Sequence, residues 1–265
     1  MPATSYAALE QAFGTAPRIV VMTGAGLSTE CGVPDFRSKG SPWLTYPPLP
    51  FADFMASAEM RLEGWRRKFA MDDLYVGAQP GRGHRALAGM VQSGRIAGII
   101  TQNIDGLHQA SGIGEVQLAE LHGNGTFATC LACNERHELA SVRREIATKA
   151  QAPVCGCGGI IKSATISFGQ PMPQGPLRRA EAWSRNCDLL LVVGSSLLVQ
   201  PAASLPLVAQ QAGARLAILN REPTPLDGMA DIVLHTEAGP VLENLHVNSG
   251  NVPQKSTISA VATNP

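Results

Sequence analysis

RIVVMTGAGLSTECGVPDFRS, residues 18–38, is the stretch on which the fold turns. It opens with an unbroken apolar run, Ile19 to Met22, and continues into Gly24-Ala25-Gly26. A β-rich apolar run bounded by glycine predicts a strand buried on both faces, as in a parallel sheet. Glycines directly behind such a strand let backbone N–H groups approach a pyrophosphate at a helix N-terminus. The common dinucleotide fingerprint needs a third glycine close behind, and an acidic residue about 20 positions on. Here the next glycine is Gly32, and no acid stands at a clear strand end. A plain turn therefore fits the glycines as well. The continuation Pro34 to Ser38 adds an acid, an aromatic and an arginine right behind the loop, an odd cluster for a mere turn.

Outward from this stretch the same pattern recurs. Further strands are expected at AGIITQN near 97–103, LLLVVGSS near 189–196, RLAILN near 215–220 and DIVLHT near 231–236. Helical stretches lie at 5–14 and between several strands, as in HRALAGMVQSG and PAASLPLVAQQAG. Alternating strands and helices predict an α/β fold with a Rossmann-like parallel sheet. Two segments break the rhythm. Residues 41 to about 83 begin with SPWLTYPPLP and continue as a charged helical stretch, and residues 126 to about 165 carry paired cysteines. Both are expected in a smaller zinc-binding and helical domain inserted into the first. The catalytic unit then spans 1–246, with its Rossmann-like part at about 5–40, 84–125 and 166–246. The tail, 247–265, is polar and rich in small residues, and is expected to be disordered and without catalytic role.

The chain has 265 residues, 45% of them apolar, and 21 basic residues against 21 acidic ones. A chain of this size buries a sizeable core. Its balanced charge favours neither direct nucleic-acid binding nor a membrane surface. The N-terminus lacks the basic start and apolar run of a secretory signal, and DLLLVVG is too short to span a bilayer. We expect a cytoplasmic protein. Close cysteine pairs in that compartment suggest a metal before disulfides. Cys130 and Cys133 form a C-x2-C hook; Cys155 and Cys157 form a C-x-C hook, with 21 residues between the two pairs. Four thiolates close a tetrahedral structural zinc site, which leaves no open position for chemistry.

Other polar residues collect where strands end. TQNIDGLH, 101–108, puts Gln102, Asn103 and Asp105 into the crevice beyond a strand, or equally caps it. ELHGN places His122 behind the apolar run VQLAEL. Histidine is the side chain best suited to accept a proton near neutral pH, yet one at a strand end also serves packing alone. His84, His108, His137, His235 and His246 compete, and His137 lies in the cysteine segment as a surplus ligand candidate. Gly194-Ser195-Ser196 follows the most apolar strand, and Asn220 follows the next, placed to bond a ribose.

GAGLSTECGVPDFRS, TQNIDGLH, ELHGN, the paired cysteines, ISFGQPMP, GSSLLVQPAASLP and ILNREPTPLD, in that order from about residue 18 to 245, resemble the sirtuins. The resemblance implies NAD-dependent removal of an acyl group from protein lysines, with release of nicotinamide and an O-acyl-ADP-ribose. NAD is then a co-substrate held between the two domains, with one structural zinc per chain. It implies a cofactor loop from Gly24 to Trp43, including Ala25, Gly26, Ser28 and Asp35, with Phe36 and Arg37 on the nicotinamide side. Gln102, Asn103, Ile104 and Asp105 are implied around the nicotinamide ribose, and Gly194, Ser195 and Ser196 at phosphate and ribose. Asn220, Arg221, Glu222 and Ala238 are implied at the adenosine end. His122 becomes the base that takes a proton from a ribose hydroxyl, with Asn103 beside it as a second catalytic residue. Phe168, Gly169 and Val199 flank the substrate peptide, added as a strand. Cys130, Cys133, Cys155 and Cys157 hold the zinc.

This sequence departs from the family pattern in places. The second hook is C-x-C where C-x2-C is usual, KSATISFGQ ends in Gln170 where the family has an acid, and GSS replaces GTS. Sirtuins that favour acidic acyl groups carry a Tyr-x-x-Arg pair. The comparable stretch here is GWRRKF, with Trp65 and Lys68 as rough equivalents, so acetyl and other uncharged acyl groups are expected. The rival readings are a mono-ADP-ribosyltransferase on the same scaffold and a non-catalytic NAD or ADP-ribose binding module.

Overall fold

The computed structural model describes residues 4–249. Helix α1 (Tyr6–Thr15) starts at Ser5, whose hydroxyl accepts the Ala8 N–H at 3.2 Å, an N-cap. It leads into β1 (Ile19–Thr23), every residue of which is buried. There follow α2 (Phe51–Ala56), α3 (Ala58–Leu74), α4 (Arg82–Gln92), β2 (Ile96–Thr101), α5 (Leu107–Ala110) and β3 (Leu118–Glu120). Next come β4 (Gly123–Cys130), β5 (Arg136–Glu138), α6 (Leu139–Lys149), β6 (Ile161–Thr165) and α7 (Gln174–Arg185). The chain continues through β7 (Leu189–Val193), α8 (Leu205–Gln211), β8 (Arg215–Leu219), β9 (Ile232–Leu234) and α9 (Ala238–Ser249).

Six strands form one parallel sheet in the order β3-β2-β1-β7-β8-β9. The strands are continuous apolar runs because both faces are covered. Ile19 and Val21 of β1 join a core with Leu9, Phe13, Leu87 and Leu242 on one side. Val20 and Met22 join Ala180, Leu205 and Ala209 on the other. Alternate residues of one strand thus serve two layers. The order reverses direction between β1 and β7, and open α/β sheets bind ligands beyond the strand ends at such a point.

The two segments that broke the strand–helix rhythm meet in space. β4, β5 and β6 form an antiparallel sheet in the order β5-β4-β6. Trp65 of α3 is 1% exposed in a core with Ala128, Cys130, Val142, Cys155 and Ile161.

Several boundaries differ from those expected. The strands at 97–103 and 189–196 end at Thr101 and Val193, so the polar residues behind them stand on loops. Two 3-10 turns, Ala25–Leu27 and Thr29–Cys31, stand behind the glycine loop. α9 runs three residues into the expected tail, because Asn248 Nδ2 donates to Glu10 Oε1 on α1 at 2.5 Å. The tail from 250 onward lies outside the described residues. Among the described residues no helix is long and apolar enough to cross a membrane.

Candidate active site

The glycine loop and the β7 loop interlock at the switch point. Gly24 N–H donates to Val193 O at 2.9 Å, and Gly26 N–H to Gly194 O at 2.8 Å. A Cβ on Gly26 would stand 2.8 Å from Gly194 Cα, and one on Gly24 would stand 2.7 Å from Gly194 O. Gly194 itself has φ +62°, a backbone region that favours glycine. Two loops therefore pass at backbone contact, and the absence of side chains there leaves a floor open to a phosphate.

A cleft of about 750 Å³ opens above this floor, between the parallel sheet and the smaller antiparallel one. Gly24, Ala25, Gly26, Asp35, Phe36, Arg37 and Trp43 line it from the first loop. Gln102, Asn103, Ile104 and His122 line it behind β2 and β3, and Gly194, Ser195, Ser196, Asn220 and Glu222 behind β7 and β8. Phe168, Gly169 and Val199 also line it. Its volume is in the range of small-molecule sites.

Four expected residues do not reach the cleft wall. Ser28 and Asp105 lie one layer behind: Ser28 Oγ donates to Asp105 Oδ2 at 2.7 Å and accepts from Asn103 Nδ2 at 3.1 Å. They fix the Asn103 amide from behind. Arg221 is half-exposed and lies between Asp35, 3.8 Å away, and Glu237, 3.4 Å away. Ala238 is buried in the core at the start of α9. None of the four is part of the cleft lining.

His122 is held at both ends. Its carbonyl accepts from Ile166 N–H at 2.8 Å, and its Nδ1 lies 3.0 Å from the Gln102 carbonyl. A carbonyl can only accept, so Nδ1 carries the proton and Nε2 keeps a free lone pair. Burial pushes the imidazole below its ordinary value of 6.5, against the Gln102 bond that raises it. The ring is thus a neutral base at pH 7. Gln102 Nε2 donates to Ser195 Oγ at 2.7 Å and links this wall to the β7 loop.

The competing histidines serve other ends. His108 is 1% exposed, with Nε2 2.9 Å from Thr23 Oγ1, and complete burial beside His84 pushes it down to about 3. His84 contacts Ser28 and Cys31 beneath the loop. His235 contacts Asp227 at 3.1 Å on the surface.

Sequence reasoning missed part of the small-sheet wall: Phe54, Met71 and Lys162 also line the cleft. Lys162 is buried, and its Nζ donates to Thr165 O at 2.6 Å. Its place beside ISFGQ was the one signal in the sequence. Phe54 and Met71 carried none, since an apolar residue on a helix reads as core. Trp65 and Lys68 do line the cleft, and Lys68 Nζ is paired with Asp72 at 2.5 Å.

The four cysteines converge. Cys130–Cys157, Cys133–Cys155 and Cys133–Cys157 sulfur separations are 3.5, 3.7 and 3.4 Å. A tetrahedral zinc with bonds of about 2.3 Å has sulfur–sulfur edges of about 3.8 Å. The donor set therefore fits zinc. Gly159 permits the shorter hook, since a Cβ there would stand 2.8 Å from Ala132 Cβ.

The Sir2 family profile matches residues 24–201. The chain is 52% identical over 228 residues to the NAD-dependent protein deacetylase 1 of Bradyrhizobium diazoefficiens, covering 86% of this chain and 89% of that one. It is 50% identical to the NAD-dependent protein deacetylase of Rhodopseudomonas palustris, over 86% and 90% of the two chains. Among solved structures it resembles a Sir2 complex with a deacetylated peptide and 3'-O-acetyl ADP ribose, at 30% identity and a TM-score of 0.85, covering 93% of this chain and 99% of that one.

Proposed function

The chain belongs to the Sir2 family, and on that premise we propose that this cleft takes NAD and an acyl-lysine side by side, with His122 as the general base. The protein is an NAD-dependent protein deacylase that transfers the acyl group of lysine to ADP-ribose. Bound NAD supplies an ADP-ribosyl group on a good leaving group, nicotinamide. The chain's own residues supply the rest. His122 Nε2 takes a proton from a ribose hydroxyl, which then attacks the acyl carbon. Gln102 O keeps the imidazole in the tautomer that can do so. Asn103, braced by Ser28 and Asp105, lies beside it at the ribose. Phe36 stacks on Trp43 at 4.5 Å and forms a dry cover on the nicotinamide side. Gly24 to Gly26 and Gly194 to Ser196 receive the phosphates, and Asn220 with Glu222 receive the adenosine.

The observation that carries this reading is that His122, the glycines of both loops and Phe168 line one cleft. Lys68 supports an uncharged acyl group, because Asp72 already matches its charge. The four sulfurs support a structural zinc, and a thiolate site is consistent with a reducing cytoplasm. The test is nicotinamide release from NAD with and without an acetyl-lysine peptide. Release is expected only with the peptide, and His122→Ala is expected to lower kcat by about 10²–10⁴-fold while the protein stays folded. Undiminished deacylation in that variant would overturn the role of His122.

A further inference from the structure

Lys162 brings an amine into the small-sheet wall that the acyl-transfer chemistry does not use. It stands in β6 opposite Thr129 of β4, is 4% exposed, and lines the cleft. Among the described residues no carboxylate pairs with it, and burial alone pushes the amine down to about 8. Burying a charge is costly, so packing would be better served by an apolar side chain. What the amine adds is its donors. Nζ donates to Thr165 O at 2.6 Å and to Ser163 O at 3.3 Å, and it lies 5.9 Å from the centre of the Phe54 ring. Thr165 is the last residue of β6, and its carbonyl shares a peptide group with the N–H of Ile166. That N–H donates to the His122 carbonyl at 2.8 Å. One peptide group is therefore gripped at its oxygen by Lys162 and at its nitrogen by the backbone of His122. Two residues on, Phe168 O accepts the Phe51 N–H at 2.9 Å, at the start of the helix that carries Phe54.

We propose that Lys162 is a positioning residue, which fixes the Thr165–Ile166 peptide group and through it both the His122 backbone and the Phe168 segment beside the substrate peptide. The proposal rests on the deacylase reading of the cleft. A peptide group is planar, so its oxygen and its N–H turn together. A charged donor holds a carbonyl more firmly than a neutral one. Without the amine, the Thr165 carbonyl loses that donor and the group is free to turn towards another. Turning it withdraws the Ile166 N–H from the His122 carbonyl. The same rotation moves the chain that leads to Phe168. The aromatic face of Phe54 attracts the cation and ties α2 to the same amine. The glycine floor stands behind β1 and β7, on strands of the other sheet. Loss of the amine is therefore expected to fall on the peptide and on turnover, and to spare NAD.

Steady-state kinetics with an acetyl-lysine peptide and NAD varied separately tests this. Lys162→Met keeps most of the side chain's length and removes its donors, and Lys162→Gln keeps a polar end that falls short of the carbonyl. Each is expected to raise the peptide KM about tenfold and to lower kcat, with the NAD KM within about twofold of wild type. Lys162→Arg, which keeps a charged donor, is expected to recover most of the loss. Amide exchange at Ile166 is expected to quicken in the Met and Gln variants while β1 stays protected. Unchanged peptide KM, or an equal rise in both KM values that Lys162→Arg does not reverse, overturns the proposal. A switch in preference between acetyl and succinyl peptides overturns it too, because the amine would then meet the acyl group itself. Peptide-dependent nicotinamide release by the wild type checks the deacylase reading alongside. Its absence overturns that reading and the proposal with it, whereas normal wild-type release with unaffected variants overturns the positioning role alone.

Discussion

At the scale of single residues, the base role proposed for His122 rests on one backbone group and on burial. The Gln102 carbonyl fixes the tautomer, and partial burial keeps the ring neutral. A base must be unprotonated to act, so activity is lost as pH falls through its pKa. That pKa lies below the ordinary 6.5 because burial disfavours the charged ring. The kcat/KM profile is expected to be flat across pH 7 and to fall only at a pH below 6.5. An acid limb centred above 6.5 would contradict the burial argument. Asn103 depends in the same way on atoms behind it. Ser28→Ala removes the oxygen that joins Asn103 to Asp105. Loss of such a buried bond costs about 1–3 kcal/mol, and it is expected to lower kcat/KM about tenfold with peptide affinity unchanged. Steady-state kinetics with peptide and NAD varied separately checks this.

At the scale of elements, two contacts decide whether the cleft exists. The first is the crossing of the glycine loops behind β1 and β7. A side chain at Gly194 would require φ +62° of a non-glycine residue and would stand 2.6 Å from Gly26 C. Strain of that kind costs about 1–3 kcal/mol before the clash is counted. Gly194→Ala is expected to weaken NAD binding by more than about tenfold and to lower Tm by several degrees, measured by calorimetry. Native-like NAD affinity in that variant would show that the loops do not need their close approach. The second contact is the sulfur cluster that joins β4 to the knuckle before β6. Chelation, or Cys130→Ser, is expected to remove the zinc proposed for the four thiols and to loosen the 123–165 sheet, seen as faster amide exchange there than in β1 or β7. Unchanged exchange in the metal-free protein would deny the cluster a structural role. The sequence revealed the donors of both contacts. It did not reveal the short turns behind Gly24, because a glycine loop leaves the backbone that follows it open. Nor did it show that Ser28 and Asp105 stand behind Asn103, because strand-end position alone does not give depth.

At the scale of the whole molecule, stability carries a pH dependence set beneath the cleft. His108 is buried with its Nε2 against Thr23, and its folded pKa is about 3 against 6.5 unfolded. A folded pKa below the unfolded one means the unfolded chain binds the proton first. Stability is therefore fully present above pH 6.5 and is lost as pH falls towards 3. At pH 5 this one residue costs about 2 kcal/mol. Denaturant unfolding at pH 7.5 and pH 5 is expected to show that loss, and His108→Asn to flatten the slope while lowering stability at both. An equal slope in the variant would move the effect to other groups. The sequence by itself determined the parallel sheet, the polar strand ends, the four thiols and the candidate base, because each is a local pattern of period, spacing or residue chemistry. Only the tertiary structure decided which strands are neighbours, that the first and fourth parallel strands of the chain frame the switch point, and which polar residues face the cleft. It also decided that Arg221 and Ala238 are not part of the lining, that Lys162 is, and that His137 stands near Cys155. Those facts depend on chain segments brought together from far apart, and no local pattern records the distance between them.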